Sequence, residues 1–196
     1  MEQALKLSSN KDNEHFNFAR MIYNKLIYQA DKPYESWTLD KALGEAQEAW
    51  KINPIPAYRE LEANILYAQK NYGEAYDRFI DLTKTNMCTA ETWYCAAQCK
   101  GQLKDSTAML ALLDSAMTMF SKPYLKQAAP YLWARANAKF DAKKYRDAVN
   151  DMNDYEQLMT ADVNANFYYI RHQAEVAGRL FQQALNDIEK AITMTP

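Results

Sequence analysis

The chain has 196 residues, 48% of them hydrophobic and 24% charged, and a formal net charge of −2. That length buries a real core, in one domain or a short array. Four glycines and six prolines are too few for a turn-rich β protein, and no glycine-rich phosphate loop occurs. The near-zero charge argues against the basic face that nucleic-acid binding needs, and no apolar run is long enough to span a bilayer.

In chain order, residues 1–13 read as an N-terminal lead, and residues 14–30 as a first helix with Phe16, Ala19, Ile22, Tyr23, Leu26 and Ile27 on one face. A connection at Asp31–Thr38, holding Pro33, leads to a phrase built on Ala42, Ala46 and Ala49 and closed by Pro54. A second pair follows: Tyr58, Leu61, Ile65 and Leu66 on a leading helix, then Ala75, Phe79 and Leu82. The third runs from Trp93 through Ala96 and Ala97 to Ala108, Leu112 and Ser115. An insertion at Ser121–Ala129, with Pro123 and Pro130 beside it, precedes the fourth: Trp133, Ala136 and Phe140, then Ala148, Met152 and Tyr155. The fifth holds Phe167, Ile170 and Ala174, then Ala184, Ile188 and Ala191, with Pro196 at its end.

The alanine anchors Ala42, Ala75, Ala108, Ala148 and Ala184 therefore recur 33, 33, 40 and 36 residues apart. Positions four and seven beyond each anchor return to the anchor's own face of a helix. A small anchor lets two helix axes approach closely, and the proline that ends a copy stops the helix. Any amphipathic helix shows such a stripe once. Five stripes near a period of 34, each preceded by an aromatic-led helix, describe stacked helix–turn–helix hairpins.

In this pattern the chain resembles the tetratricopeptide repeat (TPR) family, over about residues 14–196. The resemblance implies an all-α, right-handed α-solenoid of about five hairpins, with approximate units 14–54, 55–88, 89–123, 128–161 and 162–196. It implies that the leading helices line a concave groove, and that the inward positions reading a partner are Asn64 and Tyr67, Trp93 and Ala97, Trp133, Asn137 and Phe140, and Tyr169 with Gln173. Asparagine and glutamine can pair with an extended peptide backbone, and flat aromatics supply contact area at modest entropy cost. Trp93 and Trp133 fall either in that groove or, shifted by one residue, at the aromatic each repeat buries. Members that clamp acidic chaperone tails place lysine and arginine where this chain has Glu60, Trp133 and Tyr169, so binding of such tails is expected to be weak or absent.

Other chemistry is weaker. Cys95 and Cys99 sit four apart on a helix, a metal-ligand spacing, but no second Cys or His pair accompanies them, so a small-residue core role is expected and no metal or cofactor. The odd number of cysteines, with Cys88 the third, forms no disulfide framework. His15 and His172 lie at opposite ends of the repeats, and no nucleophile–base–orienter set is in view. Asp147, Asp151, Asp154 and Asp187 are expected on a solvated helix face.

The function implied is a non-catalytic protein–protein interaction scaffold that holds a peptide or partner segment. The alternative is the sensor or docking region of a longer enzyme or regulator. The partner is expected to be a protein or peptide, with no nucleic acid and no membrane span. The apolar face of the last hairpin (Ile188, Ala191, Ile192) is read as the seam of a longer array or as a surface for self-association. Met1, Glu2 and Gln3 do not begin a basic-then-apolar leader, which favours the cytoplasm unless a leader has been trimmed.

Overall fold

In a computed structural model, the structure describes residues 10–28, 36–120, 126–160 and 162–195. The connection around Pro33, the start of the insertion with Pro123, and the closing Pro196 lie outside the described residues. Those described form ten α-helices, one 3-10 turn at Lys126–Ala128 and no strand. The helices are α1 Lys11–Tyr28, α2 Leu39–Ile52, α3 Pro56–Ala68, α4 Tyr72–Thr83, α5 Ala90–Gln102, α6 Ser106–Thr118, α7 Ala129–Asp141, α8 Tyr145–Leu158, α9 Ala165–Ala177 and α10 Phe181–Met194. No described helix is long and apolar enough to cross a membrane.

Two compact units divide the chain, Met1–Leu103 and Lys104–Pro196. In the first, α1 packs on α2, α3 on α4, and α5 against α4. In the second, α6 packs on α7, α7 on α8, and α9 on α10. Each helix starts where its sequence supplies a stop for the one before. Thr38, Thr89 and Asn164 cap α2, α5 and α9 by accepting from backbone N–H groups, and proline occupies the first turn of α3 and α7, where its missing N–H costs nothing.

The tight turn after a leading helix has its own signature. Lys70, Lys104, Lys143 and Arg179 all adopt left-handed backbone, with φ of 65°, 60°, 60° and 60°. A non-glycine residue there costs roughly 1–2 kcal/mol. The turn recovers it by feeding N–H groups to otherwise orphaned carbonyls: Asn71 N–H to Leu66 at 2.9 Å, Lys144 to Lys139 at 2.8 Å and Leu180 to Glu175 at 2.8 Å. Each of these basic residues follows the C-terminal end of a helix, where a positive charge is favoured by the helix dipole.

These turns set the repeat register. A basic residue lies five positions before Ala75, Ala148 and Ala184, so the third anchor is Met109 and not Ala108. Burial agrees four and seven residues beyond the anchor: Leu113 and Ala116 are fully buried, matching the buried Phe79, Leu82 and Met152, while Ala108 and Met109 are both half-buried. The one-residue displacement arises because the third phrase is apolar on several faces, which blurs its stripe.

The buried charges overturn a second expectation. Asp151 and Asp187 are each 3% exposed, not on a solvated face. Arg135 grips Asp151 with a two-pronged contact at 2.9 and 2.7 Å, and Lys139 adds a third at 2.7 Å. Arg171 grips Asp187 in the same way, at 2.6 and 2.9 Å. In the second hairpin the same two positions carry the reverse polarity: Glu62 accepts from Arg78 at 3.0 Å, and also from Arg59 at 2.6 Å and Gln47 at 3.3 Å. The third hairpin fills these positions with Ala96 and Leu112, both buried. Arg78, Asp151 and Asp187, each three beyond its anchor, lie at the flank of the apolar stripe, where the leading helix of the same unit covers them and neutralises their charge.

Candidate functional site

The corrected register aligns the leading helices position by position. Asn64, Gln98, Asn137 and Gln173 are equivalent, so α3, α5, α7 and α9 each present an amide at one place. None of the four side chains makes a hydrogen bond among the described residues. Gln173 is exposed and the other three are half-buried. Gln98 is absent from the sequence expectation because the third repeat was aligned one residue early. The basic residue at each turn is the signal that identifies it.

The other expected positions fall around this amide. Tyr169, 49% exposed, is equivalent to Trp133, Tyr94 and Glu60. Tyr67 and Phe140 stand one turn beyond the amide, and each leans edge-on against the aromatic that opens the next helix: Tyr67 on Tyr72 at 5.2 Å, Phe140 on Tyr145 at 5.3 Å. Burial raises the Tyr67 hydroxyl above its ordinary value, keeping it a neutral donor. Trp93, half-buried, occupies the register of the buried Leu132 and Tyr168, and Ala97 is fully buried. In the first unit the structure therefore gathers Asn64, Tyr67 and Gln98 on leading helices, and in the second Asn137, Phe140, Tyr169 and Gln173.

Trp133 packs across the hairpin boundary within the second unit. Its ring centroid lies 5.4 Å from Tyr155 and 5.9 Å from Phe167, and those two rings stack 5.6 Å apart at 22°. Trp133 remains half-buried, and the three rings form the floor of an open cleft of about 130 Å³. Asp162 and Asn164, from the α8–α9 connection, and Asn166, in the first turn of α9, stand around it.

The strongest electrostatic feature lies where α9 meets α8 and α10. Besides Asp187, the buried Arg171 donates to Asn153 at 3.0 Å and Glu156 at 2.6 Å. Glu156 in turn accepts from the Tyr168 hydroxyl at 2.7 Å. Burial, then the hydrogen bond to Glu156, pushes that hydroxyl up to about 12. Glu175 is the unsettled member: 3% exposed, 3.9 Å from Arg171, with one carboxylate oxygen unpartnered. Burial, and then the neighbouring Asp187 charge, raises it to about 7. Arg171 is already committed to other carboxylates, so it offsets little of the cost of ionising Glu175.

The remaining candidates are structural. Cys99 is buried and Cys95 half-buried, both free, and burial drives their thiols up to about 11 and 12. No group of three or more potential ligands among the described residues could hold a metal ion. A ring nitrogen of His172 lies 2.8 Å from the Ala184 carbonyl and tethers α9 to α10, while His15 pairs with Glu45 at 2.6 Å. On α10, Ala191 belongs to the core of the second unit and is not an outward residue. The outward stripe is Phe181, Leu185 and Ile192, at 65%, 50% and 63% exposure, with Ile188 half-buried between them.

No family model and no curated protein matches the sequence. Solved structures do. YrrB, a TPR protein with an unusual peptide-binding site, superposes with a TM-score of 0.75 at 15% identity, over 100% of this chain and 92% of that one. MamA, residues 41 to the end, from Desulfovibrio magneticus RS-1, gives 0.73 at 12% identity over 95% and 96%. PilW, a widely conserved type IV pilus biogenesis factor, gives 0.68 at 16% identity over 95% of this chain and 79% of its own. At such identities the likeness is one of fold.

Proposed function

The chain has the tetratricopeptide-repeat fold, and from that premise we propose that it is a non-catalytic interaction scaffold holding a peptide or partner segment on the inward faces of its leading helices. The observation that carries this reading is the amide recurring at one register on α3, α5, α7 and α9, with no hydrogen bond among the described residues. An amide offers a donor and an acceptor together, which an extended backbone matches residue by residue. Tyr67, Phe140 and Tyr169 flank these amides with flat, partly exposed surface suited to anchoring a side chain. YrrB, of the same fold, has a peptide-binding site, described as unusual.

The test is affinity capture from the source lysate, read by mass spectrometry, with the parent beside Asn137→Ala/Tyr169→Ala. Neither side chain is needed for the core, so circular dichroism should report equal helix content. A partner captured by the parent and lost from the variant supports the reading. A partner held equally by both refutes it.

A further inference from the structure

We infer that the cleft over Trp133, Tyr155 and Phe167 is an anchor pocket for an arginine side chain of the bound segment. This deepens the scaffold reading and rests on it. The floor is aromatic, and Trp133 and Tyr155 both remain half-buried at the cleft. A planar guanidinium stacks on such rings, drawn by their negative faces. The Phe167 ring already carries one guanidinium, that of Arg171, at 5.0 Å from its centre.

The rim supplies the acceptors. Asp162 is an exposed carboxylate at the cleft edge, held in place by a tight turn in which its N–H and that of Val163 both donate to the Met159 carbonyl, at 2.7 and 3.2 Å. Its partner is Lys126, at 3.1 Å, with the lysine side chain 68% and the aspartate side chain 50% exposed. Ion pairs in that setting are weak and exchange readily. Lys126 thus marks where a cation sits, while an incoming guanidinium could take the carboxylate with two parallel N–H donors and add the ring contact lysine does not make. Asn164 is fixed by accepting from the Phe167 N–H at 3.1 Å, which caps α9 and orients the wall. Asn166, exposed and without a hydrogen bond among the described residues, adds an amide oxygen at the rim. Aromatic floor, one carboxylate and amide oxygens together fit a flat cation with several donors, and not an acidic or purely apolar side chain.

The probe is N-acetyl-arginine methylamide, titrated into the full chain and followed by ¹H–¹⁵N spectra, with the Trp133 indole assigned from Trp133→Phe. The neutral isostere N-acetyl-citrulline methylamide is the control. Saturable shifts at the Trp133 indole N–H and the Asn164 and Asn166 side-chain amides are expected, with citrulline binding about tenfold weaker. Asp162→Asn, a change at an exposed position, should weaken arginine by a similar factor, and Lys126→Ala should tighten it severalfold by freeing the carboxylate. No shift at Trp133, citrulline binding as well as arginine, or an Asp162→Asn variant that binds unchanged overturns the inference. The scaffold reading is judged separately, by whether Asn137→Ala/Tyr169→Ala loses its partner.

Discussion

Arg171→Met is the most informative perturbation of the fold. Methionine keeps the length and apolar stem of the arginine but removes all its donors. It deletes the two contacts to Asp187, at 2.6 and 2.9 Å, and those to Glu156 and Asn153 at 2.6 and 3.0 Å. Asp187 then stays buried with only Lys190, at 3.8 Å, within ion-pair reach. Removing one member of a buried pair costs about 3–5 kcal/mol, because the other is stranded away from water. For a chain of this size each kcal/mol moves the melting point by about 2–4 °C, so the variant should melt roughly 6–20 °C below the parent. Arg171→Met/Asp187→Leu removes the stranded charge and should regain most of that loss. Calorimetry and urea unfolding of parent, both singles and the double complete the cycle. A single variant within about 1 kcal/mol of the parent, or a double worse than the summed singles, refutes the reasoning.

Three further outcomes follow from burial and register. Glu175 is raised from 4.5 to about 7 in the folded state, so the stability it contributes is fully present below pH 4.5 and lost as pH rises towards 7. Between pH 5 and 8 the parent should therefore lose on the order of 2–3 kcal/mol relative to Glu175→Gln, measured by urea midpoints; parallel pH profiles would exclude this. Ala148→Leu should cost about 1–3 kcal/mol by overpacking a site with no free surface, while Ala108→Leu, off the anchor register, should stay within about 0.5 kcal/mol. Equal losses for the two in thermal melts would sink the assigned register. With thiols at about 12 and 11, Cys95 and Cys99 should resist iodoacetamide at pH 8 in the native chain, and mass spectrometry should find Cys88 labelled first.

Much of the fold was legible in the amino acids because it rests on apolar periodicity. Ala42, Ala75, Ala148 and Ala184 repeat with large or small apolar partners four and seven residues on, and the structure buries all four anchors. The third copy hides its anchor because Ala108, Met109, Leu110, Leu112 and Leu113 crowd several faces of α6, and no stripe stands out. The ion pairs were illegible for a different reason. Asp151 alone looks like a surface acid; only the helix that covers its flank, bringing Arg135, makes it a core residue. The pairing does repeat, since Arg135 and Asp151 recur as Arg171 and Asp187, but Glu62 with Arg78 inverts the sign, and a search for like residues does not see it. The aromatic cleft was half legible. Trp133 stood out as groove or core, and the structure makes it part of a packed ring cluster with a half-buried flank.

The same alignment separates what folding demands from what it does not. The slot holding Glu62, Arg135 and Arg171 accepts either charge, provided its partner position answers: Arg78, Asp151 and Asp187 do so in turn, while the third repeat has the uncharged Ala96 and Leu112 at the two positions. Packing and neutrality fully account for that variation. The neighbouring register differs in chemistry from repeat to repeat, holding Glu60, Tyr94, Trp133 and Tyr169. Against this background the amide at Asn64, Gln98, Asn137 and Gln173 keeps its chemistry from the second repeat to the fifth, though no bond among the described residues uses it. An amide in a helix interior brings no propensity advantage over alanine and satisfies no neighbour here. Packing and internal hydrogen bonding leave that persistence unexplained, which supports the proposal that a bound segment uses these amides as both donors and acceptors.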